Sequence, residues 1–236
     1  GGITDSSNLS ATGNVTLNDV ATAGITLDTL EADANVILTA AGNTAITNDA
    51  ALALQGAVTG TLAATATTGD ITDSDTLTVS GASVFTLGAD GSNIILDSAA
   101  NAFSGAVTLK AGSSGGQTFG NIVFVDSGAI DFDSAASADG DLFLDGGTDN
   151  TVGGSLSVTA TAGGITDSAT IAVTGDLTLN DVATAGITLD TLEADANVIL
   201  TAAGNTAITN DAALALQGAV TGTLNVTSGG AITQNG

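Results

Sequence analysis

Carboxylates are nearly the only side chains in this sequence able to do chemistry. The densest run is DSGAIDFDSAASADGDLFLDGGTDN at 126–150, which holds Asp126, Asp131, Asp133, Asp139, Asp141, Asp145 and Asp149. Oxygen donors of this kind, with backbone carbonyls and water, are what Ca²⁺ prefers. Asp139, Asp141 and Asp145 are close enough in sequence to share an ion at a corner, so they are the candidate Ca²⁺ ligands. The plainer competing reading is a solvated acidic face whose Asp side chains also satisfy turn backbones. The absence of a GGxGxD nonapeptide and of an EF-hand loop favours that plainer reading. No cofactor other than this Ca²⁺ is expected.

Catalysis finds little to work with. Without His or Cys there is no Ser-His-Asp or Cys-His site and no conventional zinc site. Polysaccharide-cleaving solenoids set a carboxylate pair or a Ca²⁺-assisted base beside cations that hold an acidic sugar, and Lys110 is the one cation here. The chain is therefore read as non-enzymatic. Lys and Arg number 1 against 25 Asp plus Glu, for a formal charge of -24. A chain so poor in cations neutralises neither nucleic-acid phosphates nor an anionic membrane surface.

Two further patterns involve hydroxyls and amides. A Thr follows an aliphatic residue at Thr4, Thr26, Thr47, Thr72, Thr166, Thr188, Thr209 and Thr233. With the aliphatic side chain inward, these Thr would point outward as a ladder able to order water, as in ice-binding solenoids. Thr is also simply a good exposed strand residue, and the column lapses at Ile95 and Val123, so the simpler explanation is preferred. Asn8, Asn14 and Asn225 head N-x-S/T triplets, which chance explains in a chain this rich in Asn, Ser and Thr.

The elements that must position these groups follow from composition and repetition. Of 236 residues, 43% are hydrophobic, mostly Ala, Val, Ile and Leu, and 32 are Gly; there is no Pro, Met, Trp or Tyr. That much apolar surface drives folding despite the charge. Alternation in LTVSGASVFTL at 77–87 and ALALQGAVTGTL at 51–62 marks strands with every second side chain inward. Gly in nearly every window and the excess of β-branched residues argue against helix. No apolar run is long enough to cross a bilayer, so no membrane insertion is expected, and no secretion signal opens the chain. Gly1 sits inside a repeat, so any such signal is expected elsewhere.

Repetition occurs at two lengths. Residues 16–62 recur unchanged at 178–224, and GGITDS at 1–6 recurs at 163–168, both at an offset of 162. Within the block a shorter step is marked by Ile3, Ile25, Ile46, Ile71, Ile94, Ile122, Leu142, Ile165, Ile187, Ile208 and Ile232, ten steps of about 23 residues. Such a period is the mark of a solenoid. The expectation is an all-β fold, a parallel β-helix (β-solenoid) of about ten coils of about 23 residues, stacked at about 4.8 Å into a rod about 48 Å long. One continuous solenoid spans 1–236: regular coils at 1–84, irregular coils at 85–143 and regular coils at 144–236, with 163–224 largely duplicating 1–62. All six Phe fall between 85 and 143, where they would fill a wider cross-section; a separate inserted domain is the alternative.

Strings such as GGITDS, GDITDSDTLTVSGASVFTLGADGSNIILDSAANAFSGAVTL and GGAITQNG resemble the filamentous-haemagglutinin-like repeats of large bacterial surface and secreted adhesins. Ile71 to Leu109 carries the fullest match, and degenerate versions cover the rest. The resemblance implies a right-handed parallel β-helix, an extracellular or cell-surface location, export through an outer membrane and a structural or adhesive role as a rod or filament. The implied partners are the chain itself, by end-to-end or lateral assembly, and surface glycans. The alternatives carried forward are a Ca²⁺-stabilised carbohydrate-binding adhesin surface and an ice-binding Thr-ladder solenoid.

Overall fold

The computed structural model describes residues 1–112, 117–146 and 150–235. Within them all regular structure is strand: 27 strands form a 15-stranded and a 12-stranded sheet. The chain alternates between the two. Ile25–Ala32 lies in the larger sheet, Asn35–Ala40 in the smaller, and Thr44–Asn48 returns to the larger one, hydrogen-bonded to Ile25–Ala32. Every strand pairing is parallel, and the result is a β-solenoid of about 11 turns.

The alternation read from the sequence sets this geometry. In Ile25–Ala32, Ile25 and Leu27 are buried while Thr26 is exposed. Successive side chains of a strand point to opposite faces, so the aliphatic half of each strand meets its counterpart from the other sheet. The resulting apolar core is a single cluster running from Val15 to Leu214. No turn closes a core alone; each is completed by the turns above and below.

Turn length is not constant. The return from Thr44 to Leu62 takes 18 residues, and that from Val107 to Leu142 takes 35. The aliphatic markers also change sheet: Ile46 lies in the larger sheet and Ile71 in the smaller, one and a half turns later. Counting markers therefore gives ten coils where the strands form about 11 turns.

The strands of the irregular section pair within the same two sheets, Val107–Ala111 with Ser83–Leu87 in the larger and Ile122–Asp126 with Ile94–Leu96 in the smaller. Phe85, Phe103 and Phe124 pack in sequence, the first pair edge-on with centroids 5.9 Å apart and the second stacked at 5.3 Å. Phe119 and Phe132 are also buried, but Phe143 lies on the outer side of strand Asp141–Asp145 and is only half-buried. Stacking order departs from chain order here. Asp141–Asp145 pairs with Val107–Ala111, and the earlier strand Ile130–Phe132 lies beyond it, against Ile165–Asp167.

Candidate functional site: acidic corners

The three Ca²⁺ candidates do not converge. The Asp141 carboxylate is buried and accepts the backbone N–H of Ser137 at 2.9 Å and of Ala138 at 2.6 Å, with the Ser137 hydroxyl at 3.2 Å. Asp145, at the far end of the same strand, forms an ion pair with Lys110 at 2.7 Å across register-paired positions. Asp139 is exposed in the connection before that strand. Among the described residues no group of three or more acidic side chains is arranged to hold a metal ion.

The rest of the run is dispersed in the same way. Asp126 is buried and accepts from Phe103 N at 2.8 Å and Gly128 N at 3.1 Å. Burial raises its pKa above the ordinary carboxylate value, outweighing those hydrogen bonds, and the charge of Asp139 adds to the rise. Asp131 accepts from the hydroxyls of Thr166 and Ser168 in the neighbouring turn. The Asp133 carboxylate accepts the N–H of Ser134, the next residue. Asp149 lies outside the described residues.

What the sequence reading missed is the role of the Asp in Ile-Thr-Asp. Asp5 accepts from Asp28 N at 3.2 Å and Thr29 N at 3.0 Å in the next turn. Asp167 does the same for Asp190 and Thr191, and Asp73 for Asp97 and Ser98. At Asp28–Thr29 and Asp190–Thr191 the strand register shifts, which leaves backbone N–H groups outside the ladder. The carboxylate one turn below supplies the missing acceptors. For Asp5 desolvation pulls the pKa up, but the hydrogen bonds from Thr29 and Asp28 prevail and leave it lowered. For Asp97 burial, then the adjacent charge of Asp73, raises it. The recurrence of Ile-Thr-Asp at the 162-residue offset was the available signal.

A second side-chain ladder runs up another corner. Asp70 accepts from Asn93 N, Asn93 from Asn121 N, Asn121 from Ser155 N, Ser155 from Asp176 N and Asp176 from Asn197 N. Buried Asn48 seals a strand end by accepting from Ala32 N and donating to the carbonyls of Ala32 and Ala51; Asn210 repeats this in the second copy. Polar side chains at the corners thus bond one turn to the next.

Grooves recur beside the Ile-Thr-Asp corners. One, of about 200 Å³, is lined by Asp28, Glu31 and Asp49, and its duplicate, of about 240 Å³, by Asp190, Glu193 and Asp211. Their carboxylates attract cations in general, without a geometry that selects one.

The outward Thr residues do not form one ladder. Thr4 pairs with Thr26, and Thr166 with Thr188, whereas Thr47, Thr65 and Thr86 share a different row that ends at Lys110. Thr72 and Thr233 lie on the other sheet. The register shifts by two residues between Ile25 and Ile46, since Ile25 pairs with Thr44, and this moves the marker from row to row. Of the triplet Asn residues, Asn8 hydrogen-bonds Glu31, Asn14 accepts from Asn35 N, and Asn225 is exposed.

Residues 41–110, 119–202 and 203–236 match a family model described as repeats of unknown function (DUF5649). No curated protein and no solved structure matches the chain.

Proposed function

The chain belongs to this family of repeats of unknown function, and we propose that it is a passive, non-catalytic mechanical element: a stiff extracellular rod segment of a bacterial cell-surface protein. The observation that carries the reading is the behaviour of the duplicated block. The strands of residues 16–62 and of 178–224 make the same pairings and the same register shift, Leu27/Leu30 in one and Leu189/Leu192 in the other. Copying a block therefore lengthens the stack without altering its cross-section, which is how reach is increased. The resemblance to filamentous-haemagglutinin-like repeats supports the same role, as does the scarcity of groups suited to catalysis.

Antibody against the chain should label intact cells of the source organism as strongly as permeabilised cells. Labelling confined to permeabilised cells would sink the surface assignment. Binding of the isolated chain to a glycan array would make it an adhesive surface in its own right, and no binding would leave it a spacer.

A further inference from the structure

Three Asp-Gly pairs occur in the chain: Asp90–Gly91, Asp139–Gly140 and Asp145–Gly146. In each, closing one five-membered ring would join the Asp carboxyl carbon to the next backbone nitrogen, and a glycine there has no Cβ to shield that nitrogen. Ring closure needs two freedoms: an N–H that is not engaged, and a carboxyl group able to turn onto it. The fold withholds both at two of the pairs and neither at the third.

Thr118 clamps the first pair. Its carbonyl accepts the Gly91 N–H at 3.0 Å, and its own N–H donates to the Asp90 carboxylate at 2.8 Å. At Asp145–Gly146 the carboxylate is held by Lys110 at 2.7 Å, and the Gly146 N–H donates to the Leu144 carbonyl at 3.1 Å. Asp139–Gly140 has neither restraint. Asp139 is exposed, and among the described residues its carboxylate accepts no hydrogen bond and the Gly140 N–H has no acceptor. The turn around the pair is nevertheless fixed. Gly140 has φ 90, its carbonyl accepts the Asp131 N–H at 2.8 Å, and the Asp141 carboxylate accepts the N–H groups of Ser137 and Ala138.

We propose that Asp139–Gly140 is a site of spontaneous backbone modification, the isomerisation of Asp139 to isoaspartate. The Gly140 nitrogen bonds to the Asp139 carboxyl carbon and gives up its proton, and a carboxyl oxygen leaves as water, closing a succinimide. Water then adds to the former backbone carbonyl of Asp139 and breaks its bond to nitrogen. The main chain now runs through the side-chain carbon, and the old carbonyl is a free carboxylate. The water lost is regained, so mass and charge are unchanged. The product carries one more carbon in the main chain, between Asp141 with its two donors and the Gly140 carbonyl that holds Asp131. A longer turn displaces the contact between Ile130–Phe132 and Asp141–Asp145, the two strands stacked out of chain order. The reaction depends on this turn alone, whatever role the solenoid serves.

Incubation of the whole chain in mildly acidic buffer made with heavy-oxygen water, followed by elastase digestion and peptide mapping, tests it. Isoaspartate at residue 139 should accumulate about tenfold faster than at Asp90 or Asp145, the factor that one or two net hydrogen bonds supply, and should carry one heavy oxygen. In urea, where Thr118 and Lys110 no longer restrain the other pairs, the three rates should converge. Asp139→Asn should speed the reaction at this position, ammonia leaving in place of water. Equal rates at the three pairs of the folded chain, or a faster one at Asp90 or Asp145, would overturn the proposal. So would an isomer at residue 139 without heavy oxygen, or an Asp139→Asn chain that converts no faster than the parent.

Discussion

Asp73 shows what a carboxylate does in this chain: it accepts two backbone N–H groups from the next turn and the Asn101 amide at 2.6 Å. Asp73→Ala should cost about 1–2 kcal/mol in urea unfolding, as expected for a partly exposed charge-assisted contact. Asn48→Ala should cost more, about 3 kcal/mol, because the lost amide leaves the N–H and carbonyl of Ala32 unpartnered in the interior and also releases the part-buried Ala51 carbonyl. Acidity separates these carboxylates further. Asp126 and Asp97 have folded pKa values above the ordinary 3.8, so protonation favours the folded state; their contribution is present below 3.8 and is lost as pH rises through the folded value. Asp5 has the opposite sign: its contribution is present above 3.8 and is lost as pH falls through the lowered value. The melting temperature should therefore rise as pH falls through the raised values towards 3.8 and fall again below it, and Asp126→Asn should flatten the first limb. A profile of the variant parallel to that of the parent would show that Asp126 does not drive it. None of this was legible in the acidic run itself. Spacing placed Asp139, Asp141 and Asp145 together, but a strand sends positions four apart along its length, and backbone donors and Lys110 had already claimed two of the three.

Strands were legible because alternation is a local property, and register was not. Ile71 and Ile94 do stack, yet Ile25 and Ile46 do not, since a shift of two residues separates them. Neither the change of sheet by the markers nor the reversal of Ile130–Phe132 and Asp141–Asp145 leaves a local trace, because both depend on which backbone the strand meets. Gly56 marks one such meeting. It has φ 111 within Leu52–Val58 and lies against the Leu38 carbonyl, in register with it, where a Cβ would collide with backbone. Gly56→Ala should cost about 3 kcal/mol by combining steric overlap with a conformation closed to L residues. Gly218 repeats the geometry in the second copy with φ 109. A Cβ there would meet the Leu200 carbonyl, so Gly218→Ala should cost a similar amount. Urea unfolding of the two variants measures both costs, and a loss under about 0.5 kcal/mol in either would contradict the steric account.

The molecule as a whole joins a stack held by local ladders to a charge of -24 with a single basic side chain. Self-repulsion of that size is relieved by screening, so the melting temperature should rise with sodium chloride, and a calorimetric Ca²⁺ titration should give no saturable heat. A saturating isotherm would restore a specific site among the carboxylates. The duplicated block permits a sharper test. Because Leu224 ends the same 47-residue stretch as Leu62, a second copy of 63–224 can be inserted after Leu224 with both junctions already present in the parent. In the 12-stranded sheet this block spans seven steps, from Leu52–Val58 to Leu214–Val220. At strand spacing the insertion should lengthen the particle by about 34 Å, with its cross-section unchanged. Small-angle scattering measures both quantities. An added length well short of this, or a thicker particle, would mean that the copied turns fold back rather than stack. The predicted extension follows from nearest-neighbour stacking alone, since each inserted turn meets only rungs it already meets in the parent.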